Sequence, residues 1–249
     1  MKIGVNLLNW GPGVSPDALA RTSALIEALG YHLVMISDHV APTPDVVAKY
    51  PTPLYDPFTT LGWLAAATRR GAISNEYLEA IKTLWTQDVA SSRGTFVSFQ
   101  DVHTAPRPIR SPHPPIWIGG SSDAALRRAV RYGDGWHPNR VRMDWLRDTG
   151  LPKLQAIADA EGKPVPALCP RIRLELTESP LPDAQRLAGQ GTLDQMRKDL
   201  DALQSLGAAY VLLDSAGDDP QSTRDQEPLW RMLATLAEKV LDLPQQTLR

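Results

Sequence analysis

The sequence predicts an α/β fold in which helices cover a mostly parallel sheet, because short apolar strands alternate with helical stretches along the chain. The continuous apolar run at residues 33–36 is typical of a strand buried on both faces. Six strand candidates occur in this alternation, beginning near Ile3, Leu33, Ile116, Trp136, Ile172 and Val211. The pattern fits either a (β/α) barrel or a doubly wound sheet.

Capping residues mark where several helices begin and end. Ser15 and Pro16 predict a helix start, and Gly30 predicts its end. Further along, Thr192 and Gln195 form a capping-box pair at the start of another helix.

Two stretches are less regular. Residues 96–102 alternate in polarity like an exposed strand or hairpin. The helical stretch that begins at Asp144 contains Gly150 and Pro152, which predict an interruption there.

Length and charge exclude several classes of protein. A chain of 249 residues accommodates one large α/β domain or two small ones, and no boundary is visible, so a single domain over residues 1–249 is expected. The net charge is -2 and there is no basic stripe, which argues against nucleic acid and anionic membranes as partners. The chain contains no apolar run of about 20 residues and no signal-peptide core at its start.

Cysteine usage bears on the cellular compartment. The chain has one cysteine, Cys169, so an internal disulfide is excluded and a cytoplasmic location is expected. Between Leu168 and Pro170 this thiol is either a nucleophile or a small packed side chain, and the packed role is the favoured interpretation.

Residues 115–138 carry the most informative pattern: a short buried strand, a glycine turn, a helix and the start of another strand. Gly119 and Gly120 allow close approach of a ligand to the backbone, and Ser121 or Ser122 can cap the helix that follows. Free N–H groups at such a helix start suit a phosphate. The alternative is a tight βα turn with no ligand.

Polar residues at strand ends are candidates for catalysis. Asp38 and His39 follow the second strand, where an imidazole oriented by a carboxylate can move a proton near neutral pH. Asn6 ends the first strand and can donate to a ligand carbonyl. The alternative roles are structural: Asp38 caps a turn, His39 packs against a loop, and Asn6 holds a loop.

Trp136 and His137 end a further strand, where an aromatic ring can form a wall for a flat ligand or simply pack in the core. Asp214, at the end of the last strand, is a candidate loop cap. The five histidines have no metal-ligand spacing, so no metal is expected.

Separated motifs occur in a fixed order along almost the whole chain. They are Ile3-Gly-Val-Asn, Ile36-Ser-Asp-His39, Asp56-Pro-Phe-Thr-Thr-Leu61, Asn75-Glu-Tyr-Leu-Glu-Ala-Ile81, Pro106-Arg-Pro108, Pro115-Ile-Trp-Ile-Gly-Gly120 and Gly133-Asp-Gly-Trp-His-Pro138. In this combination the chain resembles the bacterial luciferase-like monooxygenase family, in its branch that uses the deazaflavin coenzyme F420.

The resemblance implies a TIM barrel, usually dimeric, that binds F420 or, alternatively, FMN at the carboxyl ends of its strands. It places Asp38 and His39 at the catalytic rim, with the histidine against the cofactor ring. It places the turn from Gly119 to Ser122, including Gly120 and Ser121, against the ribityl-phosphate side of the cofactor. Trp136 and His137 then fall on the pocket wall.

The chain departs from the family pattern at residues 69–71, which join two flanks that relatives separate by about two β/α units. An incomplete TIM-barrel-like fold with about six parallel strands instead of eight is therefore expected. Since six strands cannot close with the diameter of eight, and unpaired edges favour pairing between chains, a homodimer or higher homo-oligomer is expected.

The resemblance implies an oxidoreductase that transfers a hydride between bound F420 or FMN and a small organic substrate. A non-catalytic cofactor-binding or scaffold protein that arose by internal deletion is the alternative, and an inert truncation product is the third possibility.

Overall fold

A computed structural model of the chain describes residues 1–36, 53, 55, 78–93, 98–103, 108–216 and 223–249. The described strands, in chain order, are β1 Lys2–Leu7, β2 Leu33–Ile36, β3 Val89–Arg93, β4 Ser98–His103, β5 Trp117–Gly119, β6 Gly135–His137, β7 Ala167–Leu168, β8 Arg171–Arg173, β9 Glu175–Leu176, β10 Gln190–Gly191, β11 Tyr210–Asp214, β12 Leu241–Asp242 and β13 Thr247–Leu248. The described α-helices are α1 Pro16–Leu29, α2 Leu78–Thr86, α3 Asp123–Tyr132, α4 Met143–Trp145, α5 Leu151–Glu161, α6 Leu193–Ser205 and α7 Glu227–Lys239.

The chain forms two compact units. The first comprises Met1–Gly71, Pro138–Pro152 and Leu168–Arg249, and the second comprises Ala72–His137 and Lys153–Ala167.

The first unit contains a four-stranded sheet in the order β2-β1-β11-β8, with all neighbours parallel. Side chains alternate between its two faces. On one face the row Val5, Leu213 and Ile172 is almost fully buried. The adjacent row on the opposite face is polar and consists of Asn6, Asp214 and Arg173. The sheet therefore has one wholly apolar face and one that carries charge at the carboxyl ends of its strands.

The helix caps of this unit are those that the sequence predicts. The side chain of Ser15 accepts a hydrogen bond from Ala18 N, and Gly30 ends α1 in the left-handed region with φ 87°. At α6 the Thr192 side chain and the Gln195 side chain form the reciprocal capping box. Because these contacts are local, sequence alone specifies them.

The second unit contains the parallel pair β5 and β6, connected by α3. Ile118 and Trp136 are opposite each other in the register and fully buried, as are Leu126 and Ala129 on α3. β3 and β4 form an antiparallel hairpin, as the alternation around residues 96–102 predicts.

The expected interruption at Gly150 and Pro152 is absent. α4 continues into a π-helical turn, Leu146–Gly150, and then into α5. The wider turn explains the continuity, because the N–H of Leu151 reaches back five residues to the carbonyl of Leu146. Pro152 follows this wider turn directly, as the second residue of α5.

All six predicted strands are present, as β1, β2, β5, β6, β8 and β11, and each pairs in parallel with another. Among the described residues no sheet closes into a barrel, since the largest has four strands. The prediction of an α/β, TIM-barrel-like but incomplete fold is thus confirmed. The junction at residues 69–71 lies outside the described residues. Within the described ranges no helix has both the length and the apolar character to cross a membrane.

Candidate functional site

The glycine turn after β5 is the central feature of the second unit. β5 ends at Gly119, and Gly120 adopts φ 99°, a left-handed conformation that favours glycine. A Cβ added to Gly120 would lie 2.9 Å from the Cβ of Ala125. Gly120, Ser121 and Ser122 are all exposed. The turn is therefore both sterically restricted to glycine and open to a ligand.

Ser122 is the cap of α3. Its backbone is extended, and its hydroxyl accepts a hydrogen bond of 3.2 Å from Ala125 N. This leaves the other N–H groups of the first helical turn directed outward with the positive end of the helix dipole. Of the two serines that sequence offered as the cap, Ser122 has this role.

Trp136 is hydrogen-bonded to the glycine turn from the core of the second unit. Its indole Nε1 donates a hydrogen bond of 2.8 Å to the carbonyl of Gly120, and the side chain is fully buried. Because strand side chains alternate, Trp136 lies on the opposite face of β6 from its neighbour His137. Trp136 therefore fixes the conformation of the glycine turn from inside the core.

His137 lies on the same face as Gly119, with which it is in register. Its ring is tilted by 36° against the ring of Trp117, with centroids 5.7 Å apart. Both rings are partly exposed. A partly exposed aromatic pair beside a glycine forms a surface against which a flat ring can lie.

The charge at the start of α3 is nearly balanced. Asp123 occupies the first turn and would repel an anion, but Lys153 Nζ lies 3.1 Å from its carboxylate. Both side chains are about half exposed, so the pair contributes little to stability. Its effect on the site is that the positive charge of Lys153 offsets the negative charge of Asp123. The helix dipole and the free N–H groups remain suited to an anion.

A second polar cluster occupies the first unit, on the charged face of the four-stranded sheet. Asp214 Oδ1 accepts hydrogen bonds from Asn6 Nδ2 at 3.1 Å and from Ala216 N at 3.1 Å. Its Oδ2 accepts from Arg171 Nε at 2.8 Å, and Arg171 Nη2 lies 2.7 Å from the same oxygen. Asp214 thus connects Asn6 and Arg171 in a buried network and also caps the loop after β11.

The predicted site residues fall into three groups. Gly119, Gly120, Ser121 and Ser122 form one turn with Trp136 and His137 nearby in the second unit. Asn6 belongs to the first unit, where it is fully buried and bound to Asp214. Asp38 and His39 lie outside the described residues, so their catalytic roles stay predictions.

Arg171 and Arg173 were not among the predicted site residues. A signal for them was present, since Arg171, Arg173 and Glu175 alternate with apolar residues around a predicted strand. Charges at a spacing of two in such a strand all lie on one face.

Two further groups bear on chemistry. In the part of the chain that the structure describes, no group of three or more His, Cys, Asp or Glu side chains could hold a metal ion. Cys169 is fully buried, and burial raises the pKa of its thiol to about 12. This agrees with a packed rather than a nucleophilic cysteine.

The fold and the turn together are those of an α/β protein that exposes a glycine turn between a parallel strand and a capped helix. The family of luciferase-like monooxygenases matches residues 69–180, a stretch that includes this turn. Over this stretch the match agrees with the family resemblance that the sequence motifs indicate.

Two curated relatives illustrate the likeness. The FMNH2-dependent dimethylsulfone monooxygenase of Pseudomonas putida is 37% identical over 92 residues, which cover 37% of this chain and 25% of the relative. An uncharacterised protein of Mycobacterium tuberculosis is 32% identical over 109 residues, covering 39% of this chain and 38% of the relative. The matched stretch thus spans well under half the length of these relatives.

The fold resembles solved structures over nearly the whole chain. The coenzyme F420-dependent tetrahydromethanopterin reductase from Methanopyrus kandleri superposes with a TM-score of 0.72 at 12% identity, covering 99% of both chains. At this identity the likeness establishes the fold alone.

Proposed function

We propose that this chain is an oxidoreductase that binds F420 or FMN and transfers a hydride between that cofactor and a small organic substrate. The observation that carries the proposal is the exposed turn from Gly119 to Ser122, which lies within the stretch that matches the luciferase-like monooxygenases. The non-catalytic alternative gains no support from the comparisons.

The second unit fits the phosphate end and the flat ring of such a cofactor. The space that a Cβ at Gly120 would occupy lies beside the start of α3, where backbone N–H groups are directed outward. The Trp117 and His137 rings share a face with Gly119. A phosphate is expected at the Ser121–Ser122 end of the turn and an aromatic ring on the side of His137.

The cofactor supplies the hydride chemistry, and the residues of this chain bind and orient the reactants. The dipole of α3 stabilises the negative charge of the phosphate, while the Trp136 hydrogen bond keeps the Gly120 carbonyl directed away from it. His39 is proposed as the proton relay and Asp38 as the group that orients it. The contact of Asn6 with the cofactor stays a prediction from the sequence.

The choice between the two cofactors rests on different observations. The sequence motif Ile36-Ser-Asp-His39 favours F420. The 37% identity to an FMNH2-dependent monooxygenase favours FMN. Whether oxygen takes part depends on this choice.

A titration of the purified protein with F420 and with FMN, followed by fluorescence, tests the proposal. One of the two is expected to bind and then to be turned over when His39 is intact. Replacement His39→Ala is expected to lower turnover more than cofactor affinity. Failure of both cofactors to bind would refute the proposed function.

The variant Gly120→Ala tests whether the cofactor binds at the glycine turn. The substitution places a side chain at φ 99° and 2.9 Å from the Ala125 Cβ, so the turn must shift and cofactor affinity is expected to fall at least about tenfold. Gly162→Ala is the matched control, because Gly162 also has a positive φ of 60° but nothing within 4 Å of its added Cβ. An equal loss of affinity in both variants would indicate general destabilisation instead.

We also propose that the chain assembles as a homo-oligomer. β2 lies at an edge of the four-stranded sheet among the described strands, and parallel edges favour pairing with another chain. Light scattering that detects only monomer at micromolar concentration would contradict this.

A further inference from the structure

Arg173 carries a buried positive charge on the polar face of the four-stranded sheet. Its side chain is only 7% exposed, and it lies in the row with Asp214 and Asn6 at the carboxyl ends of the strands. Among the described residues its ion-pair contact is with Glu175, whose Oε2 lies 3.8 Å from Arg173 Nη2. Glu175 is 46% exposed and also accepts a 2.7 Å hydrogen bond from Gln190, so it compensates this charge only loosely.

Asp214 does not neutralise Arg173 even though the two are adjacent in the register. Each oxygen of Asp214 already has two donors: Asn6 and Ala216 on one, and two nitrogens of Arg171 on the other. A carboxylate has about four lone-pair sites, so its capacity is filled.

A second buried arginine of this chain, Arg186, has a structural role and is fully paired. Arg186 is 8% exposed and binds Asp199 through two nitrogens, at 2.5 and 2.8 Å, with Asp183 as a second carboxylate. Asp199 is itself buried. Burying a cation is costly unless it is paired in this way. Among the described residues Arg173 has no such partner.

One further polar atom in this row lacks a hydrogen-bond partner among the described residues. Asn6 is fully buried, and its Nδ2 is used by Asp214, so its Oδ1 faces away from that carboxylate. No described residue donates to Asn6 Oδ1. Two strand spacings separate the Asn6 and Arg173 backbones, about 10 Å, which is the span of a small organic molecule.

We propose that Arg173 and Asn6 form a subsite for the substrate, and that the substrate carries an anionic group, a carboxylate or sulfonate, with a hydrogen-bond donor next to it. The anionic group binds Arg173, and the donor binds Asn6 Oδ1. Asp214 and Arg171 position these groups without contacting the ligand. The inference rests on the proposed function only in taking the bound molecule to be the substrate.

Thermal unfolding of the protein without cofactor tests the subsite, with sodium methanesulfonate as the probe and sodium chloride at equal ionic strength as reference. A ligand that binds only the folded state raises Tm with its concentration. Methanesulfonate is expected to raise Tm more than chloride in the wild type, and this difference is expected to vanish in Arg173→Gln. Arg231→Gln is the matched control, since Arg231 is three-quarters exposed and paired with Glu227.

An Arg173→Gln protein that responds like the wild type would overturn the proposal, as would a wild type that responds no more to methanesulfonate than to chloride. Should Arg173→Gln not fold, Arg173→Lys replaces it. Lysine keeps the charge but loses the two-pronged geometry, so the apparent Kd is expected to rise about tenfold, and an unchanged Kd contradicts the assignment.

The anion could instead be the phosphate of the cofactor, and fluorescence titrations with FMN and riboflavin separate the two sources. Under the proposal, Arg173→Gln changes the ratio of their affinities by less than about twofold. A loss confined to FMN assigns Arg173 to the cofactor phosphate and overturns the substrate assignment. If no cofactor binds but the methanesulfonate response still requires Arg173, the proposed function fails and the anion subsite stands.

Discussion

Replacement of Asp214 by Asn is the sharpest test of the network at the carboxyl end of the four-stranded sheet. The substitution keeps the size of the side chain but removes the charge that Arg171 faces at 2.7–2.8 Å. It also removes one of the two oxygens that accept three hydrogen bonds and one further ion-pair contact in the native protein.

The expected loss of stability follows from these contacts. Breaking a buried ion pair by removing one partner costs about 3–5 kcal/mol. Arg171 remains 18% exposed, so water partly solvates it, and the lower end of that range, about 3 kcal/mol, is expected. With a urea m-value of about 2–3 kcal/mol/M, the midpoint should fall by about 1–1.5 M.

Equilibrium urea unfolding, followed by circular dichroism and tryptophan fluorescence, measures this change. Asp148→Asn is the matched control, because Asp148 also pairs with an arginine, Arg147, but both side chains are more than half exposed. Its expected cost is below about 1 kcal/mol. A loss below about 1 kcal/mol in Asp214→Asn would show that the network does not stabilise the sheet.

Two further predictions concern the tryptophan under the glycine turn and the buried thiol. Trp136→Phe removes the donor to the Gly120 carbonyl and should cost about 1 kcal/mol of stability and several-fold in cofactor affinity. Trp230→Phe, which removes the matching 2.8 Å bond to Thr22, should cost similar stability but leave affinity unchanged; equal effects on affinity would contradict the anchoring role of Trp136. Cys169 should react with a thiol reagent only on unfolding, and rapid labelling of the native protein would disprove its burial. Since burial raises the pKa of this thiol to about 12, its contribution to stability is complete below pH 9 and should decline between pH 9 and 12, a decline that Cys169→Ala removes.

Local features of the structure were predictable because the residues that determine them are close in sequence. The Ser15 cap, the Gly30 end of α1 and the capping box at Thr192 each involve residues within about four positions of one another. The turn at Gly119 and Gly120 is of the same kind, since a left-handed backbone selects glycine.

The roles of individual side chains in the sheets were harder to predict. The sequence left open whether Trp136 forms a pocket wall or packs in the core; the register with Ile118 places it on the face opposite His137, where it is buried and bonds to the turn. Gly150 and Pro152 predicted a break, but the π-helical turn absorbs it. In both cases the outcome depends on how neighbouring segments fit together.

By itself the sequence determined the succession of strands and helices, the helix caps, the glycine turn and the family resemblance, because periodicity, caps and motifs depend on residues that are close in sequence. The tertiary structure decided the charge network, in which Asn6 meets Asp214 across a separation of 208 residues and Arg171 meets it across 43. A parallel sheet brings the carboxyl ends of distant strands to one edge, and which polar side chains meet there depends on strand order and register. Only with that order known does Arg173 stand out as a buried cation whose adjacent carboxylate is already fully occupied.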